Sequence, residues 1–455
     1  MYLQYWFLTA ASIWSKLGAS LPGRGARSVA LATGKSVVSM TTESSATTSP
    51  KAEPPSAGLA WLRAAPHRLF FFLASLLLLL ASGWWSLVLV LRLFGTAMPG
   101  ATAPTLVHAS GMLYTFLPMY MFGFLFTAGP SWLGVKGPDA PALLPAALLA
   151  FAGAAALILL SLFSMLASGL AALLLAACWI RFLLMFGRLI RQSAAPDRKH
   201  SKLVLAFMVP GVAGLAAYAL ICFSEDFRWF AWVAVAGLWW FVIPVLLVVV
   251  HRMLPFFTAS AIPAIAAWRP NWVLWCFLVA SVGHGALELA GPSRGTWVVD
   301  VPAAAFLLWL GLRWGLLQSL RIRLLAMLHL SFVWLGLAYA LYAADGLLGA
   351  MGARGFGLAP LHAATMGFVA SLLFAMVTRV TCGHSGRALV ADAATWGLFW
   401  LLQAATLLRL GAEFWPTAYA WLLTAAVLAW LAVFVGWAWK YLPLYLRARA
   451  DGKPG

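Results

Sequence analysis

Residues 69–91 read LFFFLASLLLLLASGWWSLVLVL, twenty-three positions without an Asp, Glu, Lys or Arg. As a helix rising 1.5 Å per residue the run would reach about 35 Å, enough to cross the roughly 30 Å hydrocarbon core of a bilayer. Lipid offers no hydrogen-bond partner to an open backbone, so a run of this kind crosses as an α-helix. Working outward, comparable runs recur at 105–128, 142–164, 168–190, 202–223, 229–250, 271–290, 300–318, 324–343, 359–380, 391–410 and 417–440. The fold expected is all-α: a polytopic bundle of about twelve transmembrane helices. Composition agrees, since the 455 residues are 64% hydrophobic and 9% charged, with a mean hydropathy of +0.92. A soluble globule would carry about 25% charged residues, so that class is excluded. The four cysteines, Cys178, Cys222, Cys276 and Cys382, form neither CxxC nor CxxCH, which leaves no zinc ribbon and no covalent haem attachment.

A net charge of +18 would point to nucleic acid in a soluble chain; in a membrane protein it reports orientation instead. Arg188, Arg191, Arg198, Lys199 and Lys202 follow the fourth run, Arg252 and Arg269 the sixth, Arg321 and Arg323 the eighth, and Arg387 the tenth. The opposite connections hold Glu225, Asp226, Asp345 and Glu413. Both termini are therefore expected in the cytoplasm, in a multi-pass membrane protein. Residues 1–60, rich in Ser, Thr, Pro and Ala between 32 and 58, are expected to be a disordered tail. The apolar stretch 1–14 lacks the positive flank of a signal peptide and is too short to span, and a misplaced start codon is an alternative. The transmembrane domain then runs over 61–446, with a short basic tail over 447–455.

Helix direction sorts the eight histidines into two layers. His108, His284 and His362 fall toward the outer side, and His251, His329 and His384 toward the inner one, with His67 and His200 in cytoplasmic flanks. Ionisable residues inside spans tend to face the bundle interior and mark function, although each can also be a helix-to-helix hydrogen bonder. His108 and His362 share a depth and a context, His108-Ala-Ser-Gly-Met112 against His362-Ala-Ala-Thr-Met366. Two imidazoles facing one porphyrin iron make a six-coordinate haem suited to electron transfer, so these two are the candidate axial ligands, with Met112 and Met366 one turn on. Glu288, one turn after His284, could steer that imidazole or form a simple buried pair. On the inner side His251, Arg252, His329, Arg379, His384 and Arg387 are expected to make a second polar or metal-binding site. For the Cys382-Gly-His384 corner, helix capping through Gly383 and Gly386 is the plainer reading and copper the sharper one.

Four segments resemble the NnrS family of polytopic proteins associated with haem, copper and bacterial responses to nitric oxide. Ala65-Pro-His67-Arg68-Leu-Phe70 is similar to the family's opening of the first helix. Val107-His108-Ala-Ser-Gly-Met112-Leu, followed by Gly123 to Gly134, resembles its WHAHEMLFG and GFLLTAVPNWTG stretches. Arg252-Met-Leu-Pro-Phe-Phe-Thr258 resembles RxIPFFT, with Leu328-His329-Leu330 matching a further segment. His362 through Arg379-Val-Thr-Cys-Gly-His384-Ser-Gly-Arg387 resembles the long tenth-helix motif. The resemblance implies haem and copper in a nitrosative-stress protein of the bacterial inner membrane that meets nitric oxide; the cofactors expected are haem b and, as an open second metal, copper, with His108, His284, His329, His362 and His384 as the candidate metal ligands. Ser110 and Gly111 stand where the family has a second histidine and an acid, so a copper site needing that pair would lack it.

Two other classes compete. A haem-copper-oxidase-like or nitric-oxide-reductase-like enzyme also uses twelve helices with ligands on the second and tenth, but its binuclear centre needs an adjacent His-His pair, absent here. A twelve-helix transporter would fit Pro210 and Pro244, yet lacks obvious midplane acids for coupling. The expectation is thus a binding protein rather than a turnover enzyme.

Overall fold

Inside a membrane each peptide group has to find its partner within the chain, and the computed structural model of this protein meets that demand with helices. It describes residues 58–291 and 295–452, and these described residues are 81% helical and include no strand. Twelve long helices follow among the described residues: α1 (Pro66–Leu93), α2 (Pro104–Leu133), α3 (Ala140–Leu160), α4 (Met165–Gln192), α5 (Lys199–Ser224), α6 (Phe227–Ala261), α7 (Asn271–Ala290), α8 (Trp297–Arg313), α9 (Arg323–Ala350), α10 (Ala359–His384), α11 (Ala393–Ala412) and α12 (Pro416–Tyr445). The tail expected over residues 1–60 lies, up to residue 57, outside the described residues. Residues 447–452 are fastened back onto the bundle, where the Ala450 amide donates to the Ser385 carbonyl at 2.9 Å.

Ten of these helices are long and apolar enough to cross a bilayer; α8 and α11 are the exceptions. α8 stops after seventeen residues because Gly315, at φ 96°, turns the chain in a conformation that favours glycine. α11 carries Gln403 and Arg409 within its twenty residues. Each of the two packs along a longer apolar partner, α8 on α9 and α11 on α12.

Neighbours in sequence are neighbours in space: α1 packs on α2, α3 on α4 and α4 on α5, while α12 returns to pack on α1. Trp430 seals that last seam by donating from Nε1 to Ser82 Oγ at 2.8 Å. α6 runs through the middle, with 89% of its most apolar stretch buried against 33% for α12, and packs on α5, α7 and α9. Its backbone loosens into a π-turn at Leu238–Val242, and α10 winds as π over Ala363–Ala370. α2 breaks at Thr115, where Pro118 cannot donate to the Tyr114 carbonyl.

Polar atoms are satisfied within the bundle by short reaches. Tyr114 donates to the Val233 carbonyl at 2.5 Å, and Tyr218 pairs with Ser168 at 2.6 Å. The Tyr114 ring fits because the helices beside it carry Gly214 and Gly237, where any Cβ would collide with the phenol; small residues at such crossings let backbones approach. Gly214→Val is expected to destabilise the domain by about 1–3 kcal/mol through overpacking. Tyr114→Phe, which removes only the hydroxyl, should cost about 1 kcal/mol. Denaturation of the detergent-solubilised protein followed by tryptophan fluorescence measures both, and equal stability of all three proteins would contradict this packing.

Candidate functional site

Cross-helix bonds sort the polar groups into two layers. At one end His200 meets His251, Thr258 meets His329, and Thr381 meets Tyr445; at the other, Tyr114 meets Val233 and His284 meets Asp300. The helix starts and stops involved are those of an alternating bundle.

α2 and α10 each open at a proline and carry a histidine about one turn in, His108 and His362. His362 Nδ1–H donates to the Leu358 carbonyl at 2.9 Å, which fixes the tautomer and leaves Nε2 bare, as metal-ligating imidazoles are commonly held. His108 lies flat on Trp85, with ring centroids 4.0 Å apart and planes 15° apart, and its Nδ1 is buried without a hydrogen-bond partner. The two imidazoles stand within electrostatic reach of each other and of Arg409, and both rings are half-buried. Their own segments pack chiefly elsewhere, Pro104–Tyr114 on α1, α3 and α6, and Ala359–His362 on α9 and α11. Arg409 donates to Glu413 Oε1 at 2.8 Å. Met112 and Met366 are half-buried against the core. Their registers differ, because the turn after His362 is π, in which i+5 rather than i+4 closes the ring.

His284 occupies a second position in the same layer. Its Nδ1 is 2.6 Å from Asp300 Oδ1, and its Nε2 is 3.5 Å from Glu288 Oε2. Trp239, from the π-turn of α6, lies against the ring with centroids 3.9 Å apart, and Tyr342 closes at 4.5 Å.

The residues expected to converge at the other end are distributed over three places. His329 Nε2 pairs with Thr258 Oγ1 at 2.9 Å, and next to Thr258 the Arg379 guanidinium covers the Phe257 ring at 4.1 Å. His251 pairs with His200, Nδ1 to Nε2, at 3.0 Å, and reaches the Pro270 carbonyl with Nε2 at 3.1 Å; Arg252 covers Trp132 at 4.8 Å. His384 lies against His67, centroids 4.4 Å apart and planes tilted by 50°, beside Arg68. That buried arginine holds the end of α12, donating to the carbonyls of Arg447 at 2.7 Å and Tyr445 at 3.4 Å. Arg387 follows at the foot of α10, near Asp392, whose carboxyl is held down to about 2 by Lys440 and by the Thr395 amide. Among the described residues no three His, Cys, Asp or Glu side chains are arranged to hold a metal ion.

Four contributors escape the sequence reading. His67 and His200 read as cytoplasmic flanks because they sit at helix starts, yet both are buried. Asp300 and Arg409 were legible in kind, each a lone charge inside an apolar run, which is a functional signal in its own right. Arg68→Met is expected to release the two carbonyls at the end of α12, costing about 1.5–3 kcal/mol and speeding amide exchange over residues 446–452. Hydrogen–deuterium exchange with mass readout checks this, and unchanged protection there would contradict the latch.

Comparison with curated proteins finds no match. The chain's likeness lies instead at the level of a family: the description "NnrS protein" matches residues 61–449, the span that contains all twelve helices and every histidine placed above, and the chain belongs to the NnrS family.

Proposed function

We propose that this protein is a haem-binding membrane protein of the nitric-oxide response, with His108 and His362 as axial ligands of one haem b. The observation that carries the reading is the His362 imidazole tied at Nδ1 to its own helix, with Nε2 free, within electrostatic reach of a second imidazole that has a buried, unpartnered nitrogen. The residues present fit the group: two nitrogens are uncommitted, and the segments that carry them are packed chiefly on other helices. When bound, the haem would supply a low-spin, one-electron centre.

The chain's own side chains do the rest. Leu358 fixes the His362 tautomer, Trp85 fixes the plane of His108, and Arg409, balanced by Glu413, supplies a buried cation suited to a propionate. Copper fits less well, given the absence of a three-ligand arrangement among the described residues and Ser110 and Gly111 in the α2 motif. The basic connections after α4, α6 and α8 support an inner-membrane protein with both termini cytoplasmic.

The absorption spectrum of the detergent-purified protein is the test. Wild type should show a Soret band with sharp reduced bands, and His108→Ala and His362→Ala should each lose the low-spin form. A colourless, folded wild-type protein, or retention of the low-spin spectrum in either variant, would contradict the assignment. Reporter fusions after Lys202 and Arg323 should score cytoplasmic and one after Asp345 periplasmic; the reverse would invert the layer in which the haem is placed.

A further inference from the structure

The connection from α6 to α7 and the end of α8 enclose a cavity of about 620 Å³, within the roughly 300–1,000 Å³ usual for small-molecule sites. Ile265 and Trp268 line it from the connection, Trp309, Leu312 and Arg313 from α8, and Gln318 from the short turn beyond Gly315. It shares no residue with the haem reading.

The walls are tied in place. Trp314 Nε1 donates to the Trp268 carbonyl at 2.9 Å, and His251 reaches the Pro270 carbonyl at 3.1 Å. Gly315 lets the two segments approach, since a Cβ there would stand 2.6 Å from Ile265 Cδ1. Trp309 meets Trp268 edge to face, centroids 6.2 Å apart. Leu312 and Trp309 nevertheless stay 55% and 46% exposed, and on the flank of a membrane bundle that exposure is to lipid.

The opposite side of the cavity is cationic. Arg313 lies over the Trp268 ring at 5.3 Å, and among the described residues it has no carboxylate partner. Residues 262–271 and 313–323 hold Arg269, Arg313, Arg321 and Arg323 without an Asp or Glu. A cation facing apolar walls at the end of the bundle complements an anion that carries hydrocarbon. We propose that this cavity binds one anionic glycerophospholipid, with its phosphate on Arg313 and an acyl chain along Leu312 and Trp309. An arginine fork takes two phosphate oxygens at once, tryptophan suits the headgroup level, and basic pockets between membrane helices hold anionic headgroups. Gln318 adds a donor and an acceptor for the glycerol.

The test is photo-crosslinking of the full-length protein in phosphatidylcholine nanodiscs doped with a phosphatidylglycerol that carries a diazirine on its acyl chain, with adducts located by tandem mass spectrometry. Wild type should concentrate adducts on residues 262–270 and 309–318, and excess plain phosphatidylglycerol should remove them where phosphatidylcholine does not. Arg313→Gln, at an exposed position, should lower their yield about fivefold or more, while Arg188→Gln, on α4, should leave it unchanged. Adducts spread evenly over the bundle, an unchanged yield in Arg313→Gln, or equal competition by phosphatidylcholine would overturn the proposal. So would competition by soluble glycerol phosphate, which would make the cavity a site for a free phosphate ester.

Discussion

A polar atom buried in lipid without a partner costs several kcal/mol, and the whole structure is organised around that penalty. Helices meet it for the backbone. Serines and threonines meet it locally, as Ser75 and Thr381 do by donating to the carbonyl one turn back. Tyrosines meet it across helices, in the pairs with Ser168, Thr381 and Thr395. Against that background of satisfied groups, the imidazole nitrogens left over on His67, His108, His200, His284 and His329 stand out.

α6 is where the packing and the chemistry meet. Enclosed by α5, α7 and α9, it has little room to adjust, and its π-turn places Trp239 against His284 while the Val233 carbonyl just before it receives Tyr114. The second π-turn begins one residue after His362. Both irregular turns thus adjoin an imidazole with an uncommitted nitrogen, and π-turns tend to occur at functional sites. Inside a bilayer such a turn is tolerated because the groups it loosens are buried in protein rather than lipid.

The helices were legible because an apolar run about twenty residues long has one stable fate in lipid; residues 69–91 and 271–290 fall almost where α1 and α7 are found. The run 300–318 was misjudged at its end, since the turn at Gly315 depends on one backbone angle rather than on hydropathy. His108 and His362, expected at one depth from helix direction, come within electrostatic reach of each other. What sequence could not supply was lateral neighbourhood. Whether Asp300 meets His284 or Arg409 stands near His108 depends on which helix packs on which, and hydropathy carries no such information. The residues expected on the inner face show the same limit: they gather at one end of the bundle but occupy three separate places around α1, α5, α6, α9, α10 and α12.

The central claim is that His108 and His362 hold one ligand between their imidazoles. A cryo-electron microscopy map of the full-length protein, purified without added ligand, addresses it most directly. The account predicts a planar density joined on its two faces to His108 and His362, with Arg409 at its edge. Side chains or lipid lying between the two imidazoles, with the rings turned away from each other, would contradict it.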